Sequence, residues 1–501
     1  MRKKALCAVL SVAMVASMFA ACGSDSSSSS GSSSASSNSS ASSSASSSTS
    51  ASDSSSPASS SGESSSADPV STEWTAKIQA PSTDGWDDSK KIYAWSWDND
   101  FQNKLSVVLD HYPQYKPYVE FNILGVGATS DNYKQGIKEG LTSDKYPSLI
   151  PADNDVAKYF TEDDSITLNL SDIGLTADIY NETSYKWAAD YGTYNGNLKA
   201  VTWQGCPGTI FYRRDIAKDV FGTDDPAEIQ KKLASWDEFF KAADELKAKG
   251  YSIVSGYQSI KYVMWDGQTQ PWVKISADSE SLDLDSAVDG YLENAKKLAD
   301  GGYTQNANMW TDSAWYANMD DSGKVFCYFG CPWFIGTMTG GKKADDGTVI
   351  AKGATNGNWA ACVGPQAYHW GGTYVAVGKD TPNKELCAFL LYALACDPAV
   401  GVDIVNKYGD CVNNKVTNAQ LKDGKLDKEN NAAVKFLGGQ DIISVWMEAE
   451  EKLDLSKSTY ADATIKNYID KAAESYVGGT FKSIDECKDF IAKEAKKELG
   501  I

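Results

Sequence analysis

Histidine is nearly missing from this chain: there are two in 501 residues, His111 and His369. There is also no G-x-S-x-G elbow, so a Ser–His–Asp hydrolase is excluded. No C-x-x-C pair exists, which removes thioredoxin-like and zinc-ribbon readings. The glycine-rich "GVGATS" (125–130) lacks the Gly-Lys-Ser/Thr ending of a phosphate loop. "DNDVAKYFTEDD" (Asp153–Asp164) has Lys158 where a calcium loop needs glycine, and Asp164 where it needs glutamate. No metal and no cofactor is therefore expected. Basic residues are outnumbered, 47 against 67 acidic, for a net charge of −20 and no basic stripe. That excludes nucleic acid as a partner and favours solubility.

What is present begins with a short positive head, "MRKK", and the apolar run "ALCAVLSVAMVASMFA". Small residues Ala20 and Ala21 follow, then Cys22. This is the layout of an export signal, and the run is near the lower limit for a membrane span. From Ser24 to about Ser66 the chain is almost all Ser, Ala and Gly. Such a segment has too little apolar surface to offset its ordering entropy and reads as a disordered tether. About 45–50 residues of it span roughly 35–40 Å. The expected segments are a signal at 1–21 and a tether at 22–71.

The remaining body exceeds one ordinary core, so two lobes are expected. It holds eight of the ten cysteines: Cys206, Cys327, Cys331, Cys362, Cys387, Cys396, Cys411 and Cys487. An even count permits bridges, but a body of this size does not need them. Cys387 and Cys396 point to opposite sides of a helix, and free, buried thiols are the favoured reading.

Periodicity organises the body. "KKIYAWSWDND" (Lys90–Asp100) reads as a strand, and "FQNKLSVVLDHY" as a helix with Phe101, Leu105, Val108 and Tyr112 on one face. "VEFNIL" (119–124) and "PSLIPADND" (147–155) are further strands, each followed by helical spacing. This alternation predicts a parallel sheet with helices on its faces. "SWDEFFKAADELKAKG" carries a capping box, Ser235 with Glu238, and a stop at Gly250. "YSIVSG", "KVFCYFG", "NWAACVG" and "TYVAVG" read as strands, and "NKELCAFLLYALAC" and the last sixty residues as helices.

Two loops share the letters DND: Asp98-Asn99-Asp100 and Asp153-Asn154-Asp155. Each follows a strand and precedes a helix, which places both at the carboxyl edge of the sheet, where ligands bind. Helix capping is the bland alternative. The chain also carries 15 Trp and 26 Tyr, a heavy aromatic load for so hydrophilic a sequence. Trp97, Trp203, Trp272, Trp310, Trp333 and Trp370 are candidates to stack on a ligand; several adjoin Gly or Pro, as in "TWQGCPG", which also holds Gln204. Carboxylates, amides and indoles together suit a sugar, whose hydroxyls pair with acids and whose C–H faces lie on rings. His369 adjoins Trp370 and is within reach of such a ligand; His111 reads as a helix-end residue.

"YNGNLKAVTWQGCPGTIFYRRDI" (Tyr194–Ile216), "WDEFFKAADELKAKGY", "YFGCPWF" and "GGTYVAVGKDTPNKELCAFLLYAL" (Gly371–Leu394) together resemble the extracellular solute-binding proteins, family 1, of bacterial ABC importers, the maltose-binding-protein-like group. The resemblance runs from about Lys91 to the C-terminus. It implies an α/β, two-lobe periplasmic-binding-protein-like fold of class II type, with mostly parallel sheets flanked by helices and a hinged cleft. The implied segments are lobe 1 at 72–203, lobe 2 at 204–372, a return to lobe 1 at 373–420, and C-terminal helices across both lobes at 421–501. Crossings would fall near Trp203–Gly208 and Gly371–Val377. The family's stacking Trp corresponds to Trp333, its acidic contact to Asp155 with Asp153 close by, and its polar contacts to Asn99 and Asp100. "FAAC" resembles a lipobox, with Phe19 in place of the usual Leu, which implies lipidation at Cys22. One departure is Cys206, near which the best-known maltodextrin binder has an acid; maltose itself is then disfavoured.

These readings converge on a lipid-anchored, non-catalytic, monomeric carbohydrate receptor on the outer membrane face, delivering its sugar to the permease subunits of an ABC importer. The rivals are a glycoside hydrolase using two of Asp98, Asp100, Asp153 and Asp155, and a binder of a non-sugar small solute on the same scaffold.

Overall fold

The computed structural model describes residues 70–275, 280–344 and 346–501. The signal, Cys22 and nearly all of the tether lie outside the described residues. The first strand, β1 (Ile92–Ser96), is followed by α1 (Asp100–His111), β2 (Val119–Ile123), α2 (Asp131–Gly140), β3 (Pro147–Asp153) and α3 (Asn154–Thr161). β1 lies between β2 and β3 and pairs parallel with both. Its two faces are both buried, so Ile92, Ala94, Trp95 and Ser96 are all inside. Trp95 packs so closely on α2 that a Cβ at Gly140 would lie 2.8 Å from its ring.

After β4 (Ala200–Thr202) the chain passes to a second sheet. There β5 (Thr209–Arg213) is the centre strand, followed by helices α4 (Trp236–Ala248) and α5 (Ser286–Asp300). Then come β6 (Cys327–Gly330), α6 (Phe334–Gly340) and β7 (Trp359–Cys362); β6 and β7 flank β5, both antiparallel. The chain returns as β8 (Thr373–Val377), which inserts between β3 and β4, antiparallel to each. The two-lobe α/β architecture is as expected. The share of parallel pairing is smaller than expected: among the strands of the described residues only β2–β1–β3 pair in parallel, besides isolated parallel bridges at Ser252 and Val254. β8 enters the first sheet from the opposite end, which forces its antiparallel sense.

The chain thus crosses between sheets at 203–208 and 363–372. Both crossings are tightly packed. A Cβ at Gly208 would fall 2.2 Å from the Tyr368 ring, and one at Gly205 would fall 2.4 Å from Glu450 Oε1. In "YRRDI", Arg213 is fully buried and forks onto Asp215 at 2.8 and 2.6 Å, while Arg214 donates to the carbonyls of Trp359 and Leu437. These arginines hold the second lobe together.

α7 (Lys384–Cys396) is apolar all round and buried from Leu386 onward. α8 (Pro398–Tyr408) follows after Asp397, which caps it by accepting from Ala399 N. α9 (Ile442–Glu450) packs on β7, and α10 (Asp462–Val477) packs on α5, α11 (Ile484–Leu499) and α3. The eight body cysteines are free and buried. Two local expectations differ. Ser235 caps α4 by accepting from Glu238 N, but the Glu238 carboxylate turns to Lys241 at 2.6 Å. "YSIVSG" makes isolated bridges at Ser252 and Val254 rather than a strand, because the chain turns at Gly256 into a short 3-10 helix.

Candidate functional site

Both DND clusters stand where the alternation of strands and helices puts them, at the carboxyl ends of adjacent parallel strands β1 and β3. Asp98 Oδ1 accepts from Asp100 N at 2.9 Å, and Asp153 Oδ1 from Asp155 N at 2.9 Å. Capping and cleft placement are not alternatives at Asp153, which caps α3 and lines the cavity; Asp98 lies before the α1 cap position, holds the first N–H of α1 and lines the cavity as well. They face a cavity of about 710 Å³ between the two sheets. Asp98, Asp100, Asp153, Asp155, Trp97 and Gln204 line it from the first-lobe and crossing side, and Trp310, Trp333 and Trp370 from the other.

The aromatic wall is a stack. Trp310 and Trp333 have centroids 6.2 Å apart and planes 17° apart, and Trp370 lies on Tyr262 at 4.3 Å and 21°. Trp333 Nε1 donates to the Trp370 carbonyl at 3.1 Å, which fixes the indole's tilt. Gly371, at φ +76°, makes room: a Cβ there would lie 3.0 Å from that nitrogen. Trp310 has φ +67°, a left-handed conformation costly for a bulky residue, and its side chain is 38 % exposed. An apolar ring held open at the cost of backbone strain is a surface prepared for contact. Trp97 is mostly buried, edge-on to Tyr133 at 5.5 Å, with its remaining edge on the cavity.

Four proposed residues lie elsewhere. Trp203 is buried against Phe101 at 5.8 Å, one residue into the crossing, where it fills the core. Trp272 is fully buried in the second lobe and donates to Asp285 at 3.0 Å. Asn99 is exposed before α1, outside the cavity lining. Asn154 turns into a smaller adjoining pocket of about 210 Å³, which shares Asp155 with the main cavity. His369 is buried against Trp187 at 4.7 Å rather than on the cavity, and burial pulls its pKa down to about 3, so it is neutral. His111 ends α1 and pairs with Asp403 at 2.7 Å.

The cavity also uses residues that the sequence reading passed over: Lys104, Thr129, Tyr262, Thr339, Tyr408 and Asp410. Lys104 was legible as the i+4 partner of Asp100 on α1. Its ammonium sits 2.9 Å from Asp100 and 3.5 Å from Asp410, with almost no exposure. Burial alone would lower its pKa; Asp410 and Asp100 more than offset this and hold it charged. Burial raises the Asp410 carboxyl, with Lys104 opposing. Burial, then the Asp155 carboxylate, pushes Asp153 up to about 7.

Residues 120–421, more than half of the chain, match the family model for bacterial extracellular solute-binding proteins, and the chain belongs to that family. No curated protein sequence matches it. Among solved structures it is similar to an extracellular solute-binding protein of family 1, at 18% identity and TM-score 0.65, covering 81% of this chain and 99% of that one. It is similar to the sugar-binding protein MalE of Xanthomonas citri, at 14% identity and TM-score 0.62, covering 81% and 97%. A third is the galacto-N-biose-/lacto-N-biose I-binding protein of Bifidobacterium longum, at 16% identity and TM-score 0.60, covering 83% and 99%. At these identities the likeness is one of fold.

Proposed function

We propose that this protein is a carbohydrate receptor that captures a sugar or oligosaccharide between its lobes and delivers it to an ABC importer, tethered to the outer face of the membrane by acylation at Cys22. The observation that carries the reading is the opposition of carboxylates at two strand ends to an aromatic stack across one cavity. Acids pair with vicinal hydroxyls and indoles cover the C–H faces. The similar structures include proteins described with lacto-N-biose and with β-1,6-galactobiose, which supports the ligand class. Closure of two lobes on a ligand stabilises the closed form by the ligand's differential affinity for it. A serine-rich tether keeps such a receptor at high local concentration beside its importer. Calorimetry across mono- and oligosaccharides tests the ligand class; binding of none of them overturns it. Labelling with a fatty-acid analogue, lost in Cys22→Ala, tests the anchor.

One observation favours the hydrolase as a second reading. A carboxyl raised to about 7 beside another carboxylate is the pairing an acid/base mechanism uses. Against it, Asp98 and Asp153 each have one oxygen held by a helix-start N–H, and Asp100 is paired with Lys104. Release of shorter sugars from an oligosaccharide, abolished by Asp153→Asn, would establish catalysis.

A further inference from the structure

We infer that the cleft selects a carbohydrate bearing a positive charge, an amino sugar or an oligosaccharide containing one; the inference rests on the carbohydrate reading above. Five carboxylates line the cavity, Asp98, Asp100, Asp153, Asp155 and Asp410, against one ammonium, Lys104. That ammonium is already engaged, held between Asp100 and Asp410 and shut off from solvent. The surplus is therefore acidic and sits on Asp98 and on the Asp153–Asp155 pair, in which burial and Asp155 push Asp153 up to about 7. Asp98 and Asp153 each give one oxygen to a backbone N–H at a helix start, which leaves the second for a ligand.

Lys466 of α10 is a further cation, in a pocket that Lys134 and Lys158 also line. It stands on the far side of Asp155, in the adjoining smaller pocket, with Asp266 and Asp462 also around it. It offsets part of the Asp155 charge, along with that of Asp266 and Asp462, but does not line the cavity itself.

The opposite wall reinforces the sign. Trp310, Trp333 and Trp370 line it, Trp310 partly exposed, and an indole face attracts a cation. A neutral sugar would stack and donate hydroxyls, but closure would then bury carboxylates without a counter-charge, which is costly. A uronic acid or sugar phosphate would add to the like charge. An ammonium on the sugar ring supplies three donors and the missing charge, and its bonds to carboxylates are charge-assisted.

The test uses matched pairs titrated calorimetrically into the intact protein at one pH and ionic strength. The pairs are glucosamine with glucose, galactosamine with galactose, and glucosamine oligomers with their N-acetylated forms and with cellodextrins. At least one amino member is expected to bind tenfold or more tighter than its neutral partner. That preference is expected to be lost in Asp98→Asn/Asp155→Asn, the amino member losing at least tenfold more affinity than its neutral partner. If neutral members bind as tightly as amino members or tighter, the charge inference is overturned and the carbohydrate reading stands. If putrescine or choline binds and no sugar does, the carbohydrate reading fails as well. Binding by none of the probes overturns both.

Discussion

Trp187 donates its indole N–H to Glu450 at 2.6 Å, and Glu450 is 1 % exposed at the end of α9. Its other carboxyl oxygen has no partner among the described residues and faces Gly205 in the first crossing. Burial raises its pKa well above the ordinary value, with the Trp187 bond opposing. A buried acid whose protonated form is favoured is thus wedged beside the first crossing between the lobes.

A pH dependence follows. When the folded pKa exceeds the unfolded one, the native state binds more protons, so stability falls as pH rises past the unfolded value. The Glu450 contribution is fully present below about pH 4.5 and is lost progressively above it. Glu450→Gln keeps the shape and cannot ionise. The variant is expected to melt at the same temperature as the parent at pH 4, and at a higher one at pH 8. Calorimetric melting at both values checks this; equal differences at the two would show that Glu450 does not titrate with folding.

Trp333→Ala removes an indole from the cavity while leaving the second-lobe core in place. Ring-stacking and apolar contact of this size are worth on the order of 1–3 kcal/mol, so affinity for the best sugar is expected to fall about 10- to 100-fold. Unchanged affinity would favour a ligand that is not a sugar.

Gly208→Ala tests the crossing. The added methyl would lie 2.2 Å from the Tyr368 ring, whose hydroxyl donates to the Thr209 and Gly330 carbonyls at 3.1 Å. The ring has no easy retreat, so a loss of about 1–3 kcal/mol is expected in urea unfolding. Gly196→Ala, where nothing stands within 4 Å but φ is +77°, should cost less, about 1 kcal/mol.

The eight body thiols are buried and unbridged, and burial raises the pKa of Cys206, Cys331 and Cys411 well above the usual range. They are expected to stay silent to a thiol reagent in the native protein and to react in full once guanidinium unfolds it, without reductant. A native titre of several thiols, or a need for reductant, would contradict this packing.

Much of the site was legible because it depends on local order. A strand that ends in Asp-Asn-Asp and enters a helix puts its acids at a sheet edge whatever the rest of the chain does, as at Asp98 and Asp153. Trp333 and Trp370 were legible from their glycine- and proline-rich surroundings, "GCPWFIG" and "YHWGGT". The same rule failed for Trp272, in "TQPWV", and for Trp203, in "TWQGCPG". Both lie in turn-like sequence, yet their rings face inward, to Asp285 and to Phe101. A turn residue's side chain follows the neighbours that fold against it, and those are distant in the chain. Asp410 was missed for the same reason, since it meets Lys104 across about three hundred residues of chain.

The sequence alone determined the elements, the chemical character of the loops between them and the preference for free thiols, because these follow from spacing, propensity and composition within short windows. Only the tertiary structure decided which aromatic rings face the cavity, that β8 returns antiparallel, and that the one lysine at the cavity is already paired. Those outcomes depend on contacts between segments far apart in the chain, and no local pattern encodes their geometry.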